Sequence, residues 1–467
     1  MDSKMTTLWS GRFDAGPDQA AFEFGASFRF DRRLFEDDVR GSAAWAWALA
    51  NAGVIARDEA SQIETALADI LDRGRSDPAF VDGPDEDVHS FVERLLVERL
   101  GDTGRRLHTG RSRNEQVSVD LRLYLRRRIP LLQRSAAACV AALARQASDA
   151  GDALMPAYTH LRPAQPILVA HFFLAHVAAL RRDHDRLGGA SAEADALPLG
   201  SGAIAGTSYA IDLQQVARDL GFSRIVANSI DASSDRDFAC TFLYAGALAM
   251  VHLSRLAEDL IIFCGDDHGL FELSDALSTG SSMMPQKKNP DPLELVRGKT
   301  GRSLGHLLAL ATTLKGLPSG YNKDLQEDKQ AVFDAEDTLA GSLAVVRSVI
   351  DGLTINRARA ELAASGLLLA TDVADYLVGR GVPFRRAHEI VGTLVRKLVA
   401  EGREFGSLTM TEWHEASDRF DADVVGRVTP RVSVAAKRTP QSTAPGAVAA
   451  ALAEVYAWLG RAGGPTG

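Results

Sequence analysis

The chain has 467 residues, of which 46% are hydrophobic and 24% charged, and its formal net charge is -9. This is the composition of an ordinary globular protein with ample length for a core, and as a soft prior it suggests about three domains of ~150 residues each. The mild acidity, with no Lys/Arg block that suggests a basic tail, argues against a nucleic-acid partner.

Cys139, Cys240 and Cys264 are odd in number and far apart. They fit buried thiols in a reducing compartment better than a disulfide framework or a cysteine zinc site. Met1 to Phe13 has no apolar signal region. The longest apolar run, Ile167 to Leu180, is interrupted by His171 and His176 and is too short to span a bilayer. The expectation is a cytoplasmic protein with no membrane partner.

Residues Met1 to Phe30 show little helical periodicity but many aromatics, among them Trp9, Phe13, Phe22, Phe24, Phe28 and Phe30, and they read as an extended arm. Asp31 is a plausible N-cap for a helix running to Gly53. Ile63, Leu67, Ile70 and Leu71 repeat at helical spacing up to Gly74, and Val88, Phe91, Val92, Leu95 and Leu96 repeat up to Gly101. From Gln116 the helices lengthen. One runs up to Pro130 and continues in the same register from Leu131 to Asp149, followed by Ile167–Leu187, Phe238–Phe263, Leu293–Leu314 and Lys329–Leu353. Several are apolar on more than one face, so each should be surrounded by other helices. Ala196 to Thr207 reads as a brief β excursion. After Thr354 the helices shorten, and Thr409 with Glu412 makes a capping box. The fold expected is mostly α, with three helical domains: 1–111, a central bundle of long helices over 112–360, and 361–467.

Four polar clusters interrupt this pattern. His108-Thr-Gly-Arg-Ser-Arg-Asn-Glu-Gln116 places Arg111, Ser112, Arg113 and Asn114 at a helix start, where N–H groups and the dipole favour an anion. A solvated cap explains it equally well. Tyr158-Thr-His-Leu-Arg-Pro-Ala-Gln-Pro166 holds His160 in a turn beside Thr159, just before a buried helix. A working histidine needs a partner that fixes its tautomer, and Glu294 is a candidate.

Ser278-Thr-Gly-Ser-Ser-Met-Met-Pro-Gln-Lys-Lys-Asn-Pro290 cannot be regular helix or strand, yet it carries hydroxyls, two lysines and Asn289 between rigid rods. Such a loop suits closure over an anionic substrate and stabilisation of developing negative charge. Gly320-Tyr-Asn-Lys-Asp-Leu-Gln-Glu-Asp-Lys329 offers Tyr321, Gln326 and Lys329 for polar substrate ends, or serves as a polar cap. A metal site is not expected. There is no H-E-x-x-H, and His171 and His176 do not share a helix face. Gly200-Ser-Gly-Ala-Ile-Ala-Gly206 has the wrong spacing for a dinucleotide fingerprint.

Taken together, Gly280-Ser-Ser-Met-Met-Pro-Gln-Lys-Lys-Asn-Pro290, Leu8-Trp-Ser-Gly-Arg-Phe13, Leu107-His-Thr-Gly-Arg-Ser-Arg-Asn114, Tyr158-Thr-His-Leu161, Asp235-Arg-Asp-Phe238, Tyr321–Lys329 and Pro383-Phe-Arg385 resemble the argininosuccinate lyase family of the fumarase/aspartase superfamily over nearly the whole chain. The first motif is shared across the superfamily, and the others point to the argininosuccinate branch.

The resemblance implies a homotetramer with each active site assembled from three subunits. It also implies arginine biosynthesis by reversible elimination of fumarate from argininosuccinate, with no cofactor. By position Ser281 would be the base. His160, oriented by Glu294, would be the general acid or its relay, and Lys287 would stabilise the aci-carboxylate intermediate. Ser112, Asn114, Thr159 and Asn289 would hold the succinate part. Ser27, Tyr321, Gln326 and Lys329 would hold the arginine part, with His89 and Arg113 nearby. The chain departs from the family pattern at Trp45, Glu115, Thr241, Arg386, Gln441 and Ser442. These departures leave two alternatives: a paralogue that eliminates fumarate from a different N-substituted aspartate, and an inactive structural homologue.

Overall fold

The structure is a computed structural model of one chain and describes residues 18–464. Five long helices dominate it: Arg113–Ala150, Val169–Ala194, Asp237–Cys264, Asp291–Leu314 and Asp328–Asp351. The first of these helices runs unbroken through Pro130, in the continuous register expected on both sides of it. An interior proline removes one N–H and costs ~3 kcal/mol in an isolated helix. Here Ile129, Leu132, Ala136, Ala137 and Val140 are all buried around it. Their packing offsets the lost bond.

The described residues pack as two compact units. The first comprises residues 18–132, 186–247 and 302–338, and the second 133–185, 248–301 and 339–464. Each of the five boundaries falls inside one of the five long helices, so both units draw on all of them.

In the first unit, Phe35–Asn51, Arg57–Ser76 and Val88–Leu100 are amphipathic helices. They bury Trp45, Leu49, Ile63, Leu67, Ile70, Phe91 and Leu96. Two expectations are corrected here. Residues Gln19–Gly25 and Phe28–Asp31 are helical rather than extended. Asp18 caps the former by accepting from Ala21 N at 3.0 Å, and Phe28 of the latter stacks on Phe91 with ring centroids 5.0 Å apart. Trp9 and Phe13 lie outside the described residues. Asp31 is not the N-cap of the following helix, which starts at Phe35 after Leu34. It is buried and accepts from Val88 N at 3.0 Å and from the Ser27 hydroxyl. The β excursion near 196–207 reduces to a single bridge, Leu197 to Ile225. Gly200, Gly202 and Gly206 all have positive φ there, which breaks an extended run.

In the second unit, Leu154–Thr159 and Arg162–Leu168 form an antiparallel hairpin. Its sequence hides the strands because Pro156, Pro163 and Pro166 lie in them. A two-stranded ribbon tolerates prolines whose missing N–H would have faced outward. Phe271–Glu272 pairs with Thr354–Ile355, and Thr279–Gly280 pairs with Lys288–Asn289. A separate core near the C-terminus gathers Leu377, Val391, Leu394, Leu398, Trp413 and Phe420. The Thr409–Glu412 capping box is present. Among the described residues no single helix is long and apolar enough to cross a membrane.

Candidate active site

The sequence candidates fall into two groups, one in each unit. In the second unit, Thr159 and Arg162 close the hairpin, so His160 and Leu161 form a two-residue turn. Their φ values of 54° and 57° are the left-handed pair of a type I′ turn, which ordinarily takes Asn-Gly. Two non-glycine residues there are strained and hold His160 at an exposed tip. The base of the hairpin is fixed where Tyr158 packs on Phe263, with centroids 5.3 Å apart.

The 278–290 segment is a hairpin too. Thr279 pairs with Asn289 and Gly280 with Lys288, and the Thr279 hydroxyl donates to Asp291 at 2.6 Å. The two lysines differ. Lys288 Nζ donates to the Leu273 carbonyl at 2.5 Å and pairs with Asp275 at 2.9 Å, so it staples the loop to the 272–275 segment. Lys287 is exposed, and its ammonium has no ion-pair partner among the described residues.

The two serines differ as well. Ser281 Oγ accepts from Met283 N at 3.2 Å and Met284 N at 3.0 Å, whereas Ser282 is exposed with no such donors. Main-chain N–H groups aimed at a hydroxyl oxygen stabilise its ionised form. Glu294 sits exposed in the first turn of the Asp291–Leu314 helix. Within the chain, no hydrogen bond or ion pair joins it to His160 among the described residues.

In the first unit, four segments are tied together. Ser27 is buried; its N–H donates to Glu86 O at 2.8 Å and its hydroxyl to Asp31. Gln326 Nε2 donates to Gly25 O at 3.1 Å, and Lys323 pairs with Glu86 at 3.1 Å. Arg113 pairs with Asp87 at 2.7 Å. Asp87 also caps the Val88–Leu100 helix through Ser90 N at 2.7 Å. Although burial alone would raise it, Arg113 and His89 hold the Asp87 carboxyl down at about 2.

Lys329 is buried beside Asp328, which accepts from Lys329 Nζ at 2.8 Å and from Arg236 Nε at 2.5 Å. Burial pushes the Tyr321 phenol up to about 12, keeping it a neutral donor. Sequence reasoning gave none of Asp31, Glu86, Asp87, Arg236 and Asp328 a role in the site: Asp31 read as a helix cap, Arg236 and Asp328 stood only as members of motifs, and Glu86 and Asp87 precede a helix start, which reads as capping.

His89 is fully enclosed, with Nδ1 3.3 Å from Asp38 and 3.2 Å from Asp120. Burial would lower its pKa, but Asp38 foremost and then Asp120 raise it to about 10, so the ring is an imidazolium. Burial and the neighbouring Asp38 push the Asp120 carboxyl up to about 7. Ligand atoms of Asp38, His89 and Asp120 lie within 4.8 Å of one another, a spacing that admits a metal ion. With Gln116 donating to Asp38 Oδ1 at 2.6 Å and the Arg111 charge acting on Asp38, the imidazolium already fills the role of cation.

Ser112, Arg113 and Asn114 open the longest helix, where Asn114 N donates to Ser112 Oγ at 3.2 Å. Beside them is a cavity of about 490 Å³ whose walls include Arg111, Ser112, Arg113, Gly202, Thr207 and Tyr209. Gly110, at φ 68°, lets the walls approach, since a Cβ there would lie 2.7 Å from the Tyr209 ring. Trp45 Nε1 donates to Thr109 O at 3.1 Å and braces the same turn.

A long-helix fold with a hydroxyl- and lysine-bearing loop defines a lyase of the fumarase/aspartase class, and the lyase family model matches residues 11–305. The argininosuccinate lyase C-terminal model matches residues 367–435. The chain belongs to the argininosuccinate lyase family. It is 46% identical over 447 residues to argininosuccinate lyase of Moorella thermoacetica, covering 95% of this chain and 96% of that one. It is 47% identical over 441 residues to that of Roseiflexus castenholzii, covering 94% and 97%. Among solved structures, EDDS lyase in complex with formate matches with a TM-score of 0.83 at 26% identity, covering 95% of this chain and 91% of that one. An EDDS lyase variant with bound fumarate matches with a TM-score of 0.83 at 25% identity, covering 95% and 89%.

Proposed function

We propose that the chain is a cytoplasmic enzyme of arginine biosynthesis that reversibly eliminates fumarate from argininosuccinate, releasing L-arginine, without a cofactor. Ser281 Oγ takes the proton from the carbon β to the departing nitrogen. The electron pair moves into the adjacent carboxylate, whose aci form is met by Lys287 and loop N–H donors. The C–N bond then breaks, and the guanidino nitrogen receives a proton from His160 directly or by relay. Acid–base assistance of this kind supplies ~10²–10⁴ in rate.

Ser112, Asn114, Thr159 and Asn289 hold the succinate part. Ser27, Tyr321, Gln326 and Lys329 hold the arginine part, with His89 and Arg113 supplying charge behind them. The observation that carries this reading is the pair of main-chain N–H donors on Ser281 in a loop whose Lys287 has no ion-pair partner among the described residues.

The two groups of residues belong together in a homotetramer in which each site takes residues from three subunits, Glu294 reaching His160 across such an interface. Exposed Tyr244, Leu295, Leu304, Leu308 and Val345 on the long helices supply apolar surface for it.

The test is direct. Purified protein given argininosuccinate should raise the ultraviolet absorbance as fumarate forms, with arginine in equal amount, while sedimentation reports the tetramer. Ser281→Ala should abolish turnover and keep the fold, and Ser282→Ala should stay within a few-fold of wild type. Intact tetramer without fumarate would refute the reading. The similarity to EDDS lyase makes other N-substituted aspartates the substrates to try next.

A further inference from the structure

One buried carboxylate in the first unit has no place in this chemistry. Glu115 is 0% exposed. Its Oε1 accepts from Ser112 N at 3.0 Å, reaching back three residues as in a capping box. Its Oε2 accepts from Gly202 N, also at 3.0 Å. One side chain therefore joins the two walls of the 490 Å³ cavity: the Ser112–Asn114 turn and the Gly200–Gly206 segment.

Other bonds hold the second wall elsewhere rather than to this turn: Ser229 Oγ donates to Ile204 O at 2.8 Å, and Ser201 Oγ to Pro198 O at 2.7 Å. The wall is largely glycine and alanine, with Gly202 at φ 58° and its Cβ direction 2.6 Å from Gly206 O, so no side chain at that position can serve as an anchor. Gly206 N donates to Ser201 O at 2.7 Å, which curls the segment on itself without tying it to the helix start.

We propose that Glu115 is a positioning residue, a clasp that fixes the Gly200–Gly206 segment against the Ser112–Asn114 turn and so sets the shape of the pocket for the substrate's succinate carboxylates. The arrangement explains why a carboxylate is kept in a place that disfavours it. Burial pushes its pKa up to about 7, against the pull of the Ser112 and Gly202 N–H groups and of Arg111. A neutral side chain of the same length has one acceptor oxygen and one donor nitrogen. It can meet one of the two N–H groups and must turn an N–H towards the other.

The proposal rests on the lyase reading above, so its test has an arm that does not need turnover. Glu115→Asp keeps the charge but withdraws the carboxylate by one methylene, so it cannot span Ser112 N and Gly202 N together. Glu115→Gln keeps the length and loses one acceptor. Hydrogen exchange of the peptide spanning residues 200–206, without substrate, should quicken ~10-fold or more in both variants, while thermal midpoints stay close to wild type. In steady-state assays with argininosuccinate, KM should rise ~10-fold for Glu115→Asp with kcat nearly kept, and the fumarate inhibition constant should rise in parallel. An unchanged KM and unchanged exchange in Glu115→Asp would overturn the clasp. If wild type does not turn over argininosuccinate, the lyase reading fails by that result and the exchange data alone decide on the clasp.

Discussion

Asp328 is the counter-charge of two buried cations, and removing its charge gives a test whose size follows from the structure. Arg236 and Asp328 side chains are fully enclosed, and Lys329 is 2% exposed. Replacing Asp328 by Asn keeps shape and volume but leaves a guanidinium and an ammonium in the core facing a neutral amide. Breaking a buried ion pair from one side costs ~3–5 kcal/mol, because the remaining charge is left without water or partner.

The matched variant Arg236→Met, combined with Asp328→Asn, removes one of the stranded cations. The double variant should therefore be less destabilised than the sum of the singles by at least ~1 kcal/mol. Urea unfolding of the four proteins, with midpoints and slopes, closes this cycle. Burial by itself would raise the Asp328 pKa, but Lys329 and Arg236 hold it below 3.8. Its contribution is thus complete above pH 3.8 and lost as the pH falls through the depressed folded-state value. Asp328→Asn within ~1 kcal/mol of wild type, or strictly additive double-variant data, would refute the assignment of this triad as one electrostatic unit.

Three further outcomes are expected. Lys287→Met should remove nearly all turnover without changing stability, since its ammonium has no ion-pair partner to lose among the described residues. Lys288→Met should instead raise hydrogen exchange across 278–290, because it releases the staple to Leu273 and Asp275. Equal kinetic effects from both lysines would contradict the distinction. His89, held at about 10 against 6.5 when exposed, keeps a proton in the folded state that the unfolded chain releases. Its stabilisation is whole below pH 6.5 and is lost as the pH rises towards 10, at up to about 1.4 kcal/mol per pH unit. A thermal midpoint that stays flat from pH 7 to 9.5 would count against the imidazolium.

The long helices were legible because burial on several faces leaves dense apolar runs, and all were located to within a few residues except at the end of the second, which runs on from the expected Leu187 to Ala194. The 154–168 hairpin was not, since Pro156, Pro163 and Pro166 erase the strand signal that a ribbon edge can do without. The segment 19–31 was misread because the Gln19–Gly25 helix buries no residue and so carries no periodicity. Of the site, the motif residues were readable as types in a pattern. The acids behind them were not, because a carboxylate at a helix start looks alike whether it caps the helix or balances a buried cation. Choosing Ser281 over Ser282 needed the resemblance, and the N–H donors on Ser281 now give that choice a physical reason.

The division of the chain within its long helices bears on biosynthesis. Neither unit is a continuous stretch, and the first cannot close until residue 338 has been made, although its opening segment ends at residue 132. At ~5–20 residues per second the ribosome takes roughly 10–40 s to cover that interval. During it, apolar faces of the nascent Arg113–Ala150 rod, and of the Asp237–Cys264 rod once it is made, lack partners that lie further along the chain. The polypeptide should therefore depend on holdase chaperones during translation, and slowing elongation should lower its soluble yield.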